Sequence, residues 1–497
     1  MSEETDLTAL IARLKGVPVL VLGDFMLDRF IYGGVERISP EAPIPVMRIE
    51  REAAMLGGAG NVLRNLAALG AQPLGVGVVG RDAAGDDVAR LARDCLAPVG
   101  GSIELLNPAG RPTTIKERYV AGGQQLLRAD REASGDLDAT SEAAVIEAAL
   151  AAMKDAAAVI LSDYGKGLLS PVVIAAVVEA AGQRACSLVV DPKGRDFTRY
   201  CGAGWITPNR RELQEASGLP GGSDEDVVAA CRRIVESAGI GGVLATRSEQ
   251  GMTLVEGSEN STAGVVHHLK AEAREVYDVS GAGDTVVAVF AAALGAGLQP
   301  VQAAGLANTA AAIVVGKLGT AVAQPQEIAQ AFHASELMAA ESKVVDLDNL
   351  LDRAARWRQA GLRVGFTNGC FDLLHPGHVS LLQQAEAACD RLVVGLNSDA
   401  SVRRLKGESR PVQGEAARAA VLASLASVSR VVVFSEDTPM ALIEALRPEV
   451  LVKGADYSID EVVGAEVVQS YGGRVVLADL SPGHSTTATI KRLESSG

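Results

Sequence analysis

At 497 residues the chain is longer than one hydrophobic core usually supports, so two or three domains are expected. It is 48% hydrophobic, 22% charged and only 3% aromatic, with 53 glycines, a composition that suits α/β layers better than a β-sandwich. A formal charge of −15 argues against nucleic acid as a partner, while leaving room for a local basic pocket that holds phosphates.

The six cysteines (95, 186, 201, 231, 370 and 389) form no C-x-x-C pair and have no histidine spacing suited to zinc. Reduced thiols in a cytoplasmic protein are expected. The acidic, polar start from Met1 to Asp6 is unlike a secretory signal. The longest apolar run, Val286 to Leu298, is too short to span a bilayer and contains Gly295 and Gly297, so no membrane partner is expected.

From residue 17 onward strand-like and helix-like runs alternate. Val19 to Leu22 reads as a strand ending in Gly23 and Asp24. Residues 31–49 read as short β-type stretches broken by Pro40, Pro43 and Pro45, which belong outside a central sheet. Residues 113–120 could join them in a small lid. Buried-type strands follow at Ala156 to Leu161, Ser187 to Val190, Trp205 to Thr207 and Gly242 to Ala245. Each ends in polar residues, and in open parallel sheets ligands bind beyond the carboxyl ends of the strands. A helical run, Glu327 to Ala340, precedes a fresh βα series with strands near 362–366, 392–396, 430–434, 450–453 and 474–478. The boundary is expected near 342, giving domains 1–335 and 343–497. No internal repeat is evident.

Two stretches carry chemistry. In Asp278 to Asp284 (DVSGAGD), Gly281, Ala282 and Gly283 let backbone N–H groups approach a phosphate, at the start of an apolar helix. Asp284 would stand beside the transferring phosphoryl group and accept a proton from the acceptor hydroxyl. The competing reading is a helix cap in a tight turn. Gly57, Gly58 and Asn61 open an amphipathic helix ending near Gly70, which suits close approach to a polyhydroxylated substrate. Asp24 could bind sugar hydroxyls. Asn209 and Glu212 stand one helical turn apart, suited to a hydrated Mg²⁺ near phosphates. Gly75, Gly77 and Gly80 match G-x-G-x-x-G, but the glycines lie within a strand-like run and the next helix begins only near Asp86, so no dinucleotide site is expected.

Taken together, these features over roughly residues 15–335 resemble the ribokinase-like sugar kinases. The resemblance implies Asp284 as catalytic base and Gly281, Ala282 and Gly283 as the anion hole. It implies Asn209, Arg210, Arg211 and Glu212 as the nucleotide-phosphate motif, with Mg²⁺ held indirectly through Glu212. Thr246 to Gly251 would border the nucleotide ATP. Residues 31–49 would be the lid, which in relatives often serves as a dimer clasp, so a homodimer is expected.

The second stretch is the tetrad His375, Pro376, Gly377 and His378 after a strand. Two of the six histidines sit three apart at a helix start, where both can face one ligand. Metal binding by the pair is conceivable, but no third ligand lies nearby. Lys406, Arg410 and Arg418 follow, and near the end Ser485 and Thr486 could bind phosphate. Residues 343–497 resemble the cytidylyltransferase-like nucleotidyltransferases, which implies catalysis by His375 and His378 together with those basic and hydroxyl residues. The implied fold class is α/β throughout: a ribokinase-like doubly wound sheet with a small β lid, then a Rossmann-like nucleotidyltransferase domain.

The order of the two parts, with Val35 to Pro40 (VERISP) and Leu451 to Asp456 (LVKGAD), resembles the bifunctional heptose-phosphate kinases and heptose 1-phosphate adenylyltransferases. That resemblance implies sugar phosphates and ATP as small-molecule partners, and ADP-heptose for lipopolysaccharide as the product. Spacing and composition alone reach only a polyol kinase joined to a nucleotidyltransferase. A fusion acting on another sugar or a cofactor precursor, and a non-catalytic nucleotide sensor, stay open on those grounds.

Overall fold

The computed structural model describes residues 7–133, 135–257, 264–271, 277–317, 319–455 and 458–479. The chain divides into two compact units, Met1–Phe332 and His333–Gly497.

The strands of the first unit are β1 (Pro18–Gly23), β2 (Phe25–Ile38), β3 (Pro45–Gly58), β4 (Gln72–Val78), β5 (Ser102–Leu106), β6 (Thr114–Ala121) and β7 (Gln124–Arg131). They continue with β8 (Ala158–Ser162), β9 (Ser187–Asp191), β10 (Trp205–Ile206), β11 (Gly242–Thr246), β12 (Met252–Glu256) and β13 (Val266–Leu269). Nine of them form one sheet in the order β13-β12-β11-β10-β9-β8-β1-β4-β5, in which β12 alone runs antiparallel to its neighbours. Its central strands are apolar at successive positions because helices cover both faces. Val19, Val21 and Ile160 pack on one face with the helices Ala59–Ala68, Ala282–Gly295 and Pro300–Val315. Leu20, Leu22, Val159 and Leu161 pack on the other, with Ala139–Met153, Pro171–Gln183 and Asp224–Ala238.

Every residue from Thr285 to Ala293 is buried, which accounts for the long apolar run as a core helix. No helix among the described residues is long and apolar enough to cross a membrane. Gly77 lies inside β4, where an added Cβ would stand 2.2 Å from the Phe25 ring, so that glycine serves packing.

The lid is larger than the proline pattern suggests. β2 and β3 are each 14 residues long, and Pro40 and Pro43 occupy only the turn between them. With β6 and β7 they form a separate four-stranded sheet, β3-β2-β6-β7. It leaves the main sheet at Asp24 and returns at Gly58, so its base borders the C-terminal end of β1. Gly57 and Gly58 end β3, and the helix starts only at Ala59.

The second unit has β14 (Val364–Gly369), β15 (Arg391–Asn397), β16 (Arg430–Phe434), β17 (Val450–Gly454) and β18 (Arg474–Ala478) in the order β16-β15-β14-β17-β18, all parallel. Residues 343–345 hydrogen-bond along β16. The chain runs outward from β14 through β15 to β16 and then crosses to β17, so the order reverses between β14 and β17. Ligands of doubly wound sheets bind at such a reversal.

Candidate active sites

In the first unit the strand order reverses at β1, whose neighbours are β4 and β8. Asp24 follows β1 and is 3% exposed. Its Oδ2 accepts the N–H of Tyr164 at 3.2 Å and of Lys166 at 3.1 Å, which fixes the loop after β8. Burial raises the Asp24 pKa; the Lys166 and Tyr164 N–H donors oppose that without cancelling it.

Asp284 sits in the first turn of the helix Ala282–Gly295. Gly281 precedes that helix at φ +80° and supplies no side-chain cap; Ala282 N donates to Val279 O at 3.3 Å, and the N–H groups of Gly283 and Asp284 suit another acceptor. Asn61 Nδ2 donates to Asp284 Oδ2 at 2.7 Å, and the Tyr164 hydroxyl donates to Oδ1. Arg64 Nη1 in turn donates to Asn61 Oδ1 at 3.1 Å. An added Cβ at Gly281 would stand 2.7 Å from the Asn61 amide, so glycine is required both by φ and by the neighbour. Burial raises the Asp284 pKa and outweighs the hydrogen bonds from Tyr164 and Asn61, which lower it. A carboxylate so placed is oriented, moderately basic and beside a cradle of N–H groups. It can take a proton from a hydroxyl.

Within charge range of Asp284, Asp191 at the end of β9 has its pKa raised well above the usual range by burial, then by the negative charges of Asp284 and Glu212. A hard divalent cation with oxygen ligands would relieve that crowding. Among the described residues no three His, Cys, Asp or Glu side chains converge to chelate an ion directly.

In the second unit the tetrad caps β14 at the strand-order reversal. His375 is the residue before the helix Pro376–Ala387, again without a side-chain cap, and His378 N donates to His375 O at 2.8 Å. The two imidazoles stack with centroids 3.9 Å apart, and Phe371 packs edge-on to His378 at 5.2 Å. Burial, then the positive side chains of His375 and Lys406, lower the His378 pKa to about 4. His378 is therefore neutral near pH 7, and an arriving polyanion would favour its charged form. Beside the pair, Thr367 Oγ1 and Asn368 Oδ1 are buried without a hydrogen-bond partner among the described residues. Polar atoms left so at a strand end suit a polar ligand.

The family model "pfkB family carbohydrate kinase" matches residues 19–327, and "Cytidylyltransferase-like" matches residues 366–492. The chain is 56% identical to the bifunctional protein HldE of Paramagnetospirillum magneticum, over 98% of this chain and 99% of that one. It is also 56% identical to the bifunctional protein HldE of Rhodospirillum rubrum, over 98% and 97%. The chain belongs to the bifunctional HldE family. Among solved structures, the tetrameric inhibited form of phosphofructokinase-2 from Escherichia coli aligns with a TM-score of 0.53 at 19% identity, covering 64% of this chain and 99% of that one. At that identity the likeness speaks for the fold. The two parts of an HldE chain are thus a carbohydrate kinase and a nucleotidyltransferase, each with one of the two sites above.

Other residues singled out in the sequence fall less simply. Asn209 and Glu212 form a reciprocal helix cap: Glu212 N donates to Asn209 Oδ1 at 2.9 Å and Asn209 N to Glu212 Oε2 at 3.1 Å. Glu212 Oε1 also accepts from Lys193 at 3.3 Å. Arg210 turns to Arg247 O and Gln250, while Arg211 pairs with Glu215 and is 85% exposed on the solvent side of its helix. Thr246 ends β11 and bridges Asn209. Gly251 is a backbone requirement, since its added Cβ would stand 2.0 Å from Leu269 O.

Gly57 faces the Asp28 carboxylate, 2.6 Å from where its Cβ would be, and Gly58, at φ +58°, faces Asp24 O. Gly58 is the residue that caps the start of the helix Ala59–Ala68, as expected, whereas Gly57 still belongs to β3. Gly283 is exposed with nothing near its missing Cβ. Arg418 is a correction: it is fully buried, with Nη2 on Asp399 at 2.7 Å and its other groups on the Gln413 and Cys370 carbonyls. Enclosed in this way, it braces the loop after β14 instead of presenting a guanidinium to a phosphate. Arg410 is tied to Asp372, which also accepts the Val412 and Gln413 N–H groups. Lys406 is exposed beside the histidine pair. Ser485 and Thr486 lie outside the described residues. The sequence reading missed Tyr164, Arg64 and Asp191; their strand-end and helix-face positions were visible, but their meeting with Asp284 was not.

Proposed function

We propose that the first unit transfers the γ-phosphoryl group of ATP to the C1 hydroxyl of D-glycero-β-D-manno-heptose 7-phosphate. The second unit transfers the adenylyl group of ATP to heptose 1-phosphate, giving ADP-heptose and pyrophosphate for lipopolysaccharide core synthesis. A separate phosphatase removes the C7 phosphate between the steps. The observation that carries this reading is the pairing, on one HldE-family chain, of an oriented carboxylate at one uncapped helix start and a stacked histidine pair at another. The heptose and the adenine follow from membership of that family.

In the kinase step Asp284 takes the proton from the C1 hydroxyl as its oxygen attacks the γ-phosphorus and ADP leaves. Asn61 and Tyr164 hold the carboxylate, and the N–H groups around Gly281 to Gly283 face the charge on the transferring group. Glu212 and Asn209 are suited to hold a hydrated Mg²⁺, which would neutralise phosphate charge when bound. In the second step an oxygen of the sugar 1-phosphate attacks the α-phosphorus. His375, His378, Lys406 and Arg410 steady the phosphate oxygens as pyrophosphate departs.

The lid exposes Val35, Ile38, Ile44, Ile49, Leu126 and Leu127, which supports a homodimer through this sheet. Each unit has its own sheet and core, which supports independent folding of fragments 1–335 and 343–497. ATP and sugar phosphates as substrates support a cytoplasmic location. The reading is tested by supplying heptose 7-phosphate with ATP, then heptose 1-phosphate with ATP or CTP. Equal turnover of unrelated sugar phosphates, or preference for CTP, would refute the assignment of substrates.

A further inference from the structure

The lid face turned toward Tyr164 carries an unusual cation. Lys116 lies on β6, in register with Asp28 on β2 and Asp130 on β7, and its ammonium sits 5.6 Å from the centre of the Tyr164 ring. The other charges on that face are already paired. Arg118 Nη1 holds Asp28 at 2.8 Å, and Arg128 Nε holds Asp130 at 3.0 Å. Lys116 is half-buried yet makes no hydrogen bond and no ion pair within 4 Å among the described residues. Its neighbourhood thus sums three cations against two carboxylates, with the excess charge on the unpaired one.

A half-buried ammonium without an acceptor is unfavourable unless an anion arrives. Burial lowers the Lys116 pKa, and the nearest carboxylate, Asp28, only partly offsets this. Tyr164 reaches Asp284 with its hydroxyl while Lys116 faces its ring, so the ammonium and the base stand about one tyrosine, near enough for Lys116 to lower the Asp284 pKa.

We propose that Lys116, flanked by Arg118 and Arg128, binds the phosphate that the acceptor sugar carries at the end remote from its reacting hydroxyl. This rests on the kinase reading above and assigns it a specificity determinant. The paired arginines add positive potential and the lysine supplies free N–H donors, so the site prefers phosphorylated sugars to neutral ones.

The test uses the full chain with heptose 7-phosphate and with the same heptose lacking the phosphate. Lys116→Gln should raise KM for the phosphorylated sugar roughly ten- to hundredfold, the range for losing a hydrogen bond to a charged group. KM for ATP and turnover of the unphosphorylated sugar should hardly change, and Lys116→Arg should recover most of the loss. An unchanged KM for the phosphorylated sugar overturns the proposal. So does an equal fall in kcat on both sugars, which would put Lys116 at the transferring group. Wild-type chain that ignores heptose 7-phosphate would instead overturn the functional reading beneath it.

Discussion

The two sites share a plan and differ in how their reactive groups are held. Both lie where strand order reverses, at a helix start with no side-chain cap. The histidine pair is local: one helix turn brings His375 and His378 into a stack at 3.9 Å. Asp284 is instead assembled from afar, by Asn61 at a separation of 223 residues and Tyr164 at 120. Burial pushes both groups away from charge, raising the carboxyl and lowering the imidazole. The carboxylate is made more basic for taking a proton, whereas the imidazole stays neutral until a polyanion arrives. Shared geometry thus serves opposite electrostatic ends.

The sharpest way to break this comparison is Asp284→Asn, which is nearly isosteric and removes the base. Sugar phosphorylation should fall at least about a hundredfold and up to ten-thousandfold, with adenylyl transfer intact, as two coupled assays on one preparation would show. Near-normal kinase turnover would refute the base assignment. Next comes His378→Ala, expected to lower adenylyl transfer by about 3–4 kcal/mol, or roughly a hundred- to thousandfold, while nucleotide binding changes less. A variant that melts early but turns over normally per folded molecule would reduce the histidine to a structural role.

The depressed imidazole has a consequence for stability. Between the ordinary histidine value and about 4, the unfolded state binds a proton that the folded state does not. Stability from this group is therefore full above about pH 6.5 and declines as pH falls toward 4. Melting curves of the wild-type chain and His378→Ala over that window should converge on acidification; parallel curves would contradict the shift.

Smaller effects sharpen the kinase side. Tyr164→Phe deletes one donor to Asp284, so its pKa should rise further and the acidic limb of the kinase pH profile should move to higher pH. A loss of about tenfold in kcat is expected with KM for ATP preserved. An unmoved limb would show that the tyrosine does not act through the base. The smallest effect is expected at Gly283→Ala, where an added methyl meets nothing in the protein. A several-fold rise in KM for ATP at unchanged melting temperature would mark close phosphate approach, while unchanged kinetics would remove Gly283 from the cradle.

Much of this molecule could be read in the chain itself, wherever the signal is local. The five strands of the second unit appear within a few residues of the expected positions, because fully buried parallel strands demand continuous apolar runs. The lid was underestimated because prolines mark a turn as readily as a broken strand, and β7 carries charges that hide its alternation. The Asn209 motif illustrates the limit in the other direction. An amide and a carboxylate three residues apart satisfy their own helix start in the structure, which spacing alone cannot separate from ligand binding.

By itself, then, the sequence determined the alternation of strands and helices and the two helix starts that carry Asp284 and the histidine pair, since each depends on neighbours within a turn or a strand. Tertiary structure alone decided what surrounds them. That Tyr164 and Asn61 converge on Asp284, that Arg418 is enclosed while Lys116 is not, and that Asp191 comes within charge range of Asp284 and Glu212 follow from strand order and packing. The physical reason is that hydrogen bonds and charge interactions act over a few ångströms of space, and fold topology sets which distant residues come that close.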